Sequence, residues 1–240
     1  MVAFRLAGAE VFADHSGALW WPAEGLLAFA DLHFEKGSSF AVRTSQMLPP
    51  YDTRATLSVM EEVVGRLAPR RIVCLGDNFH DPEGPARLES EARARLQRLM
   101  QGRCFVWIEG NHDQAAAGVL GGESAAELAV GPLVFRHEPS SSPEVLGEVA
   151  GHLHPAVVVQ TRAGRVRRKC FVSDGARCVL PSLGSFTGGL DLDDAAFEVL
   201  FGGRYCAYAL GRDRVYPFPT RSFVAQAGNL GLVAGRSRNL

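Results

Sequence analysis

The stretch Leu26-Leu27-Ala28-Phe29-Ala30-Asp31-Leu32-His33 is apolar for five residues and then breaks into an acid and an imidazole two positions apart. An unbroken apolar run of that length suits a strand covered on both faces, because a half-exposed strand alternates. The same form recurs twice. Ile72-Val73-Cys74-Leu75 runs into Gly76-Asp77, and Cys104-Phe105-Val106-Trp107-Ile108 runs into Gly110-Asn111-His112-Asp113. Between the first two runs, apolar side chains at Leu57, Met60, Val63, Val64 and Leu67 predict a helix over 52–67 with one buried stripe and Asp52 as its N-cap. A second helix is expected over 85–100. Strand, polar tip and helix in succession indicate βαβ units with right-handed crossovers and a largely parallel sheet. The carboxyl ends of such strands share one edge, where ligands bind.

Outward from this centre, residues 3–12 and 18–21 read as paired strands with a turn at 14–17. After residue 125 the helical spacing gives way to short apolar runs at 133–135, 145–149, 156–161, 166–172 and 178–180. These predict a second, more antiparallel sheet packed on the first. It adds two polar tips, Arg136-His137-Glu138 and Gly151-His152-Leu153-His154. A single domain over 1–220 is expected, with residues 221–240, rich in Gly, Ala and small polar types, as a C-terminal tail.

Composition narrows the class. The chain has 240 residues, 47% apolar and 21% charged, with 25 Lys+Arg against 26 Asp+Glu. That length buries a sizeable core without disulfides or a structural metal. The net charge of −1 excludes a polyanion-binding protein that is basic throughout, so any nucleic-acid contact must come from a local patch. No uncharged apolar stretch reaches the ~20 residues of a membrane span, and Arg5, Glu10 and Asp14 stand where a signal peptide would be apolar. The expected location is cytoplasmic, with no membrane partner. Five scattered cysteines without CxxC spacing read as reduced thiols, and Trp20, Trp21 and Trp107 as core.

Residues two apart in an extended segment point the same way, so Asp31 and His33 can reach one point, as can His152 and His154. Either pair alone is weak evidence. Together the five strand ends carry Asp31, His33, Asp77, Asn111, His137, His152 and His154, all oxygen or imidazole donors of the kind that hold borderline divalent metals. Seven donors with one shared suffice for two ions.

These five motifs, in this order over 30–154, resemble the calcineurin-like metallophosphoesterases. The resemblance implies an α/β sandwich of two mixed β-sheets flanked by helices. It assigns Asp31, His33 and His154 to one metal, Asn111, His137 and His152 to the other, and Asp77 to both. His112 becomes the catalytic acid, and a metal-bridging hydroxide the attacking group in phosphodiester hydrolysis. The cofactors implied are two divalent ions, Mn²⁺ foremost, with Fe or Zn also suited to such donors. Two further stretches, Ala30–Phe40 continued by Leu48–Thr53, and Gly76-Asp77-Asn78-Phe79-His80-Asp81, resemble more narrowly the bacterial ligase-associated DNA damage response endonucleases, the PdeM branch. That branch implies a DNA endonuclease in repair, with a DNA ligase and a helicase as partners. One position departs from the pattern. Many relatives carry a carboxylate three residues after the bridging Asp, where this chain has His80 followed by Asp81. Asp81 is therefore expected to orient His112, unless His112 is positioned otherwise, and His80 to face the phosphate.

The connection 34–50 is long for a βα loop and leaves from the metal edge, so Lys36 and Arg43 are candidate phosphate contacts. Residues 162–169 place five positive charges in eight positions, with Arg165, Arg167 and Arg168 as candidates for the DNA backbone. No aromatic residue interleaves there, so base stacking is not indicated. Two other functions remain open at this level. One is a phosphatase or phosphodiesterase for small nucleotides or phosphoproteins. The other is a repair-complex component with a structural site, against which the complete donor set argues.

Overall fold

The chain enters its first sheet through a hairpin, β1 (Val2–Leu6) and β2 (Ala9–Ala13), paired antiparallel across Ala7-Gly8. Ala7 and Gly8 have φ of 47° and 84°, so a two-residue turn of the twist that hairpins favour splits the stretch 3–12, expected as one strand. In the computed structural model, which describes residues 1–44, 48–111, 119–142, 144–161 and 164–220, β3 (Leu19–Trp21) pairs antiparallel with β2 and with β4 (Leu26–Phe29). From β4 the pairing turns parallel through β5 (Arg71–Leu75), β6 (Cys104–Ile108) and β7 (Glu123–Ala125), giving seven strands in chain order.

Helices α1 (Lys36–Thr44) and α2 (Asp52–Leu67) connect β4 to β5, and α3 (Gly84–Arg87) and α4 (Ser90–Met100) connect β5 to β6. Two expectations change here. The connection 34–50 contains a helix, α1, whose start is built by contacts distant in sequence. The Asp52 carboxylate accepts the Gly37 N–H at 3.0 Å, and the Glu35 carboxylate accepts the Ser38 and Thr53 hydroxyls at 2.7 and 2.9 Å. Nine residues of weakly apolar sequence do not hold a helix alone. The helix expected over 85–100 is broken, because Leu88 and Glu89 take extended ψ of 119° and 147°, which lets Leu88 bury its side chain in the core.

The second sheet contains β8 (Glu127–Val130), β9 (Leu133–Arg136), β10 (Glu148–Ala150), β11 (Ala156–Thr161), β12 (Gly164–Ser173), β13 (Arg177–Val179), β14 (Cys206–Leu210) and β15 (Val215–Pro219). Its order is β15-β14-β12-β13-β10-β9-β8, with β11 paired to β12. It is mixed rather than mainly antiparallel at its centre, since β10 runs parallel to both β9 and β13. Helix α5 (Ala195–Phe201) covers its outer face, seating Phe197 and Phe201 against Cys170, Val172 and Val179.

The unbroken apolar runs of β4, β5 and β6 are buried on both faces, as expected. Leu26, Ala28, Val73 and Ile108 meet Phe135, Val149 and Phe171 between the sheets. Leu27, Phe29, Ile72 and Trp107 meet Leu57, Met60 and Leu96 under the helices. The fold is thus an α/β sandwich of two mixed sheets flanked by helices. Residues 221–240, the expected tail, lie outside the described residues. Among the described residues no helix is long and apolar enough to cross a membrane.

Candidate metal centre

All five polar tips lie at the ends of β4, β5, β6, β9 and β10, and at those of β4, β5 and β10 the backbone is left-handed rather than extended. Asp31, His33, Asp77, His152 and His154 have φ of 52°, 44°, 45°, 68° and 48°. The reasoning that residues two apart point together therefore gives one pair for the wrong reason, Asp31 with His33, and fails for the other, because His152 and His154 turn into different donor groups. Each left-handed residue costs about 1–2 kcal/mol, and such strain persists only where surrounding contacts enforce it. Those contacts run between the tips. The His33 N–H donates to Asp77 O at 2.9 Å, Phe34 N–H to Asn78 O at 2.8 Å, Gly151 N–H to His137 O at 2.9 Å and Gly184 N–H to Asp31 O at 3.0 Å. Close packing adds to them. A Cβ on Gly110 would overlap the Asp77 backbone nitrogen, and one on Gly151 would come 2.6 Å from Asp31 Oδ2.

Two groups of donors result, Asp31, His33 and His154 in one and Asp77, His137 and His152 in the other. Within each, the donor atoms all lie within 4.8 Å of one another. In the first, His33 Nε2 is 3.4 Å from His154 Nε2, which is 3.3 Å from Asp31 Oδ1. In the second, His137 Nε2 is 3.2 Å from His152 Nδ1 and 3.5 Å from Asp77 Oδ1. The groups adjoin through Asp77, whose other oxygen, Oδ2, is 3.9 Å from His33 Nε2. Asn111 brings its side-chain amide 3.4 Å from His152 Nδ1, on the side of the second group.

The chemistry of this donor set fits two divalent cations. Donors about 2.1 Å from one ion and roughly 90–110° apart are separated by about 3.0–3.4 Å, the spacing of the imidazole pairs here. Asp31 and Asp77 are buried, at 0% and 4% exposure, and two carboxylates so placed need positive charge beside them. His137 carries its proton on Nδ1, because that nitrogen lies 2.8 Å from the Leu75 carbonyl, which can only accept. Nε2, which faces Asp77 and His152, is then the nitrogen available to a metal ion. The Asp31 carboxylate accepts the His152 N–H at 3.0 and 3.2 Å, which orients it. The two clusters could hold two metal ions.

The other expected site residues are placed as follows. His112 lies outside the described residues. Burial works against the charge of Asp81, but the Arg87 guanidinium and the Ser39 hydroxyl outweigh it and hold the carboxyl well below its usual range. Its oxygens accept from Arg87 at 2.6 Å and from the Glu83 N–H at 2.9 Å. His80 sets its ring edgewise to His33 at 5.5 Å and beside Phe40. Lys36 is half-buried with its ammonium 5.8 Å from the centre of the Phe40 ring, and burial lowers its pKa. Arg43 pairs with Glu83 at 3.0 Å. Arg165, Arg167 and Arg168 are exposed on β12, and Arg167 bonds Asp191 Oδ1 at 3.1 Å and the Gly189 carbonyl. Sequence reasoning missed Lys169, counted there only as one charge of the basic run. Its ammonium turns inward and donates to Ser182 O, Gly184 O and Thr187 Oγ1 at 2.8, 3.0 and 2.8 Å, and burial pushes it down to about 8. Even spacing with Arg165 and Arg167 along one strand face was its available signal.

Neither a protein-family model nor a curated protein matches the chain. Among solved structures, the crystal structure of the Pseudomonas putida nuclease MPE superimposes with a TM-score of 0.72 at 24% identity, over 90% of this chain and 99% of that one. The two proteins share their fold.

Proposed function

We propose that this chain is a dinuclear-metal-dependent phosphodiesterase acting on DNA, an endonuclease. The observation that carries the reading is the shared carboxylate. Asp77 turns one oxygen toward His33 and the other toward His137, which supports one buried side chain serving both donor groups. Asp31, His33 and His154 would hold one ion, and His137, His152 and Asn111 the other. Mn²⁺ suits these donors, as do Fe and Zn. When bound, such a pair supplies Lewis acidity to a phosphoryl group and a water acidified into the neutral range. The chain's own groups do the remaining work. His112, next to Asn111 in the sequence, gives a proton to the leaving oxygen, with Asp81 as the carboxylate that orients it and His80 facing the phosphate. Lys36, Arg43, Arg165, Arg167 and Arg168 supply positive charge for the flanking phosphates.

The choice of DNA is supported by the basic β11–β12 hairpin, by the sequence resemblance to the calcineurin-like and PdeM proteins, and by the fold shared with a protein that is a nuclease. A setting in DNA repair, with a ligase and a helicase as companions, is supported by the sequence resemblance alone. The test is to incubate the Mn²⁺-loaded protein with single-stranded DNA, duplex DNA, a bis-aryl phosphate and a phosphomonoester. Cleavage of DNA internally and of the diester is expected. Hydrolysis of the small esters alone, at rates unaffected by competing DNA, replaces this reading with that of a phosphatase or phosphodiesterase for small nucleotides or phosphoproteins.

A further inference from the structure

Tyr51 and Phe186 stand 135 positions apart in the chain, yet their rings meet at the surface with centroids 5.8 Å apart and planes inclined at 54°. Both are open to solvent, at 54% and 40% exposure. Phe186 also has a φ of 60°, a conformation that costs an aromatic residue stability and suits glycine. Glycine is used freely in the same loop, at 184, 188 and 189. A ring kept exposed on a strained backbone has a use outside the fold itself.

The loop carrying it is firmly placed against the metal centre. Lys169 holds Ser182, Gly184 and Thr187 through one ammonium. The Gly184 N–H donates to Asp31 O at 3.0 Å, and the Ser185 N–H donates to Thr56 Oγ1 of α2 at 3.2 Å. Tyr51 directly precedes that helix. Two residues of chain reach at most ~7 Å, so the backbone of Phe186 lies within about 10 Å of the backbone of Asp31.

We infer that Tyr51 and Phe186 form a stacking site for an unpaired base of the nucleic-acid chain whose phosphodiester lies at the metal centre. The inference rests on the nuclease reading and assigns the base contact that the basic hairpin lacks. Two inclined rings form an open corner, in which a flat heterocycle lies on one face and meets the other ring at its edge, the arrangements that ring quadrupoles favour. Stacking of this kind accepts any base, because every base presents a π-face.

The experiment compares Tyr51→Ala, Phe186→Ala and the double variant with the parent protein, all Mn²⁺-loaded. The substrates are a single-stranded oligonucleotide, the same length of strand with abasic residues, and methyl nitrophenyl phosphate. Thermal midpoints are measured alongside. Loss of a stacked base costs affinity by about 5-fold or more per ring, so KM for the oligonucleotide is expected to rise by that factor with each substitution. Hydrolysis of the small diester stays within about 2-fold, and the abasic strand no longer separates parent from variants. Phe186→Trp retains the parent KM. Phe186→Gly loses oligonucleotide affinity while its thermal midpoint holds or rises, which a ring needed for packing would not allow. An unchanged KM in the double variant overturns the stacking site while the nuclease reading stands on the parent's cleavage. Equal losses on oligonucleotide and small diester overturn it as well. A parent protein that hydrolyses the small diester and ignores the oligonucleotide overturns the nuclease reading itself, and is seen without any variant.

Discussion

Asp77 shows how one residue can stand between two adjoining donor groups. It is 4% exposed, sits at φ 45°, and its two oxygens look toward different histidines. Asp77→Ala is expected to lose both ions by elemental analysis, whereas His112→Ala keeps them and loses turnover by about 10²–10⁴-fold, the range for one proton-transfer group. A fully active His112→Ala protein removes the acid role, and an Asp77→Ala protein with two bound ions removes the bridge. At this scale the donors are legible in the sequence, because oxygen and imidazole side chains at the tips of apolar runs are a local signal. Their left-handed backbones are not. Nothing in the residue types Asp and His demands that conformation, and the contacts that impose it come from Asp77, His137 and Gly184, far away in the chain.

Elements carry a second kind of information. The short α3 and the polar start of α1 are joined through Asp81, Arg87 and Ser38, with Arg87 Nε donating to Ser38 Oγ at 3.0 Å. Because the folded state holds the Asp81 carboxyl below its ordinary value, the unfolded chain binds the extra proton in acid. Its contribution is therefore present above the ordinary carboxylate pKa of about 4 and drains away as pH falls toward the folded value. Asp81→Asn is expected to lose about 1–3 kcal/mol at neutral pH, with the gap to the parent narrowing below about pH 4 in urea unfolding. A gap that is constant with pH removes the ion pair as its cause. On β12, Arg165, Arg167 and Lys169 share one face; Lys169 reaches Gly184, whose N–H bonds Asp31, while Arg167 reaches the Gly189 carbonyl of the same loop. Arg165→Ala should therefore weaken oligonucleotide binding and lower its dependence on salt by about 0.7 per contact, and Arg168→Ala, on the opposite face, by less. Equal effects in a salt titration would show that the hairpin face does not matter. The run of charges was plain in the sequence, but its division into an inward anchor and outward arms required the strand register with β11.

At the scale of the whole molecule, the candidate metal centre is where strand ends of the two sheets meet. Ala30, after β4 of the first sheet, bridges Ser182, beyond β13 of the second. Gly184 N–H reaches Asp31 O in the same way. Ions held there would brace both sheets, so their binding should appear as stability. With Mn²⁺ at about 100 times its dissociation constant, the gain is about 2.7 kcal/mol, and a thermal midpoint roughly 5–10 °C above that in EDTA is expected. Asp77→Ala should show no such rise. A midpoint indifferent to Mn²⁺ in the parent protein counts against any bound ion.

What the amino-acid order determined by itself is the set of apolar runs, the donors that end them, and hence a layered α/β sandwich with its chemistry on one edge. Periodicity and residue type are local properties, readable over a few positions. What only the tertiary structure decided is how close the donors of each group come, that their backbones are left-handed, that 36–44 is helical, that Lys169 turns inward, and that Tyr51 meets Phe186. Each depends on residues distant in the chain: His33 and His154, 121 positions apart, come within 3.4 Å of each other. Closing such distances is the work of the packed core, where the burial of apolar side chains outweighs the backbone strain and the desolvation of carboxylates gathered at its rim.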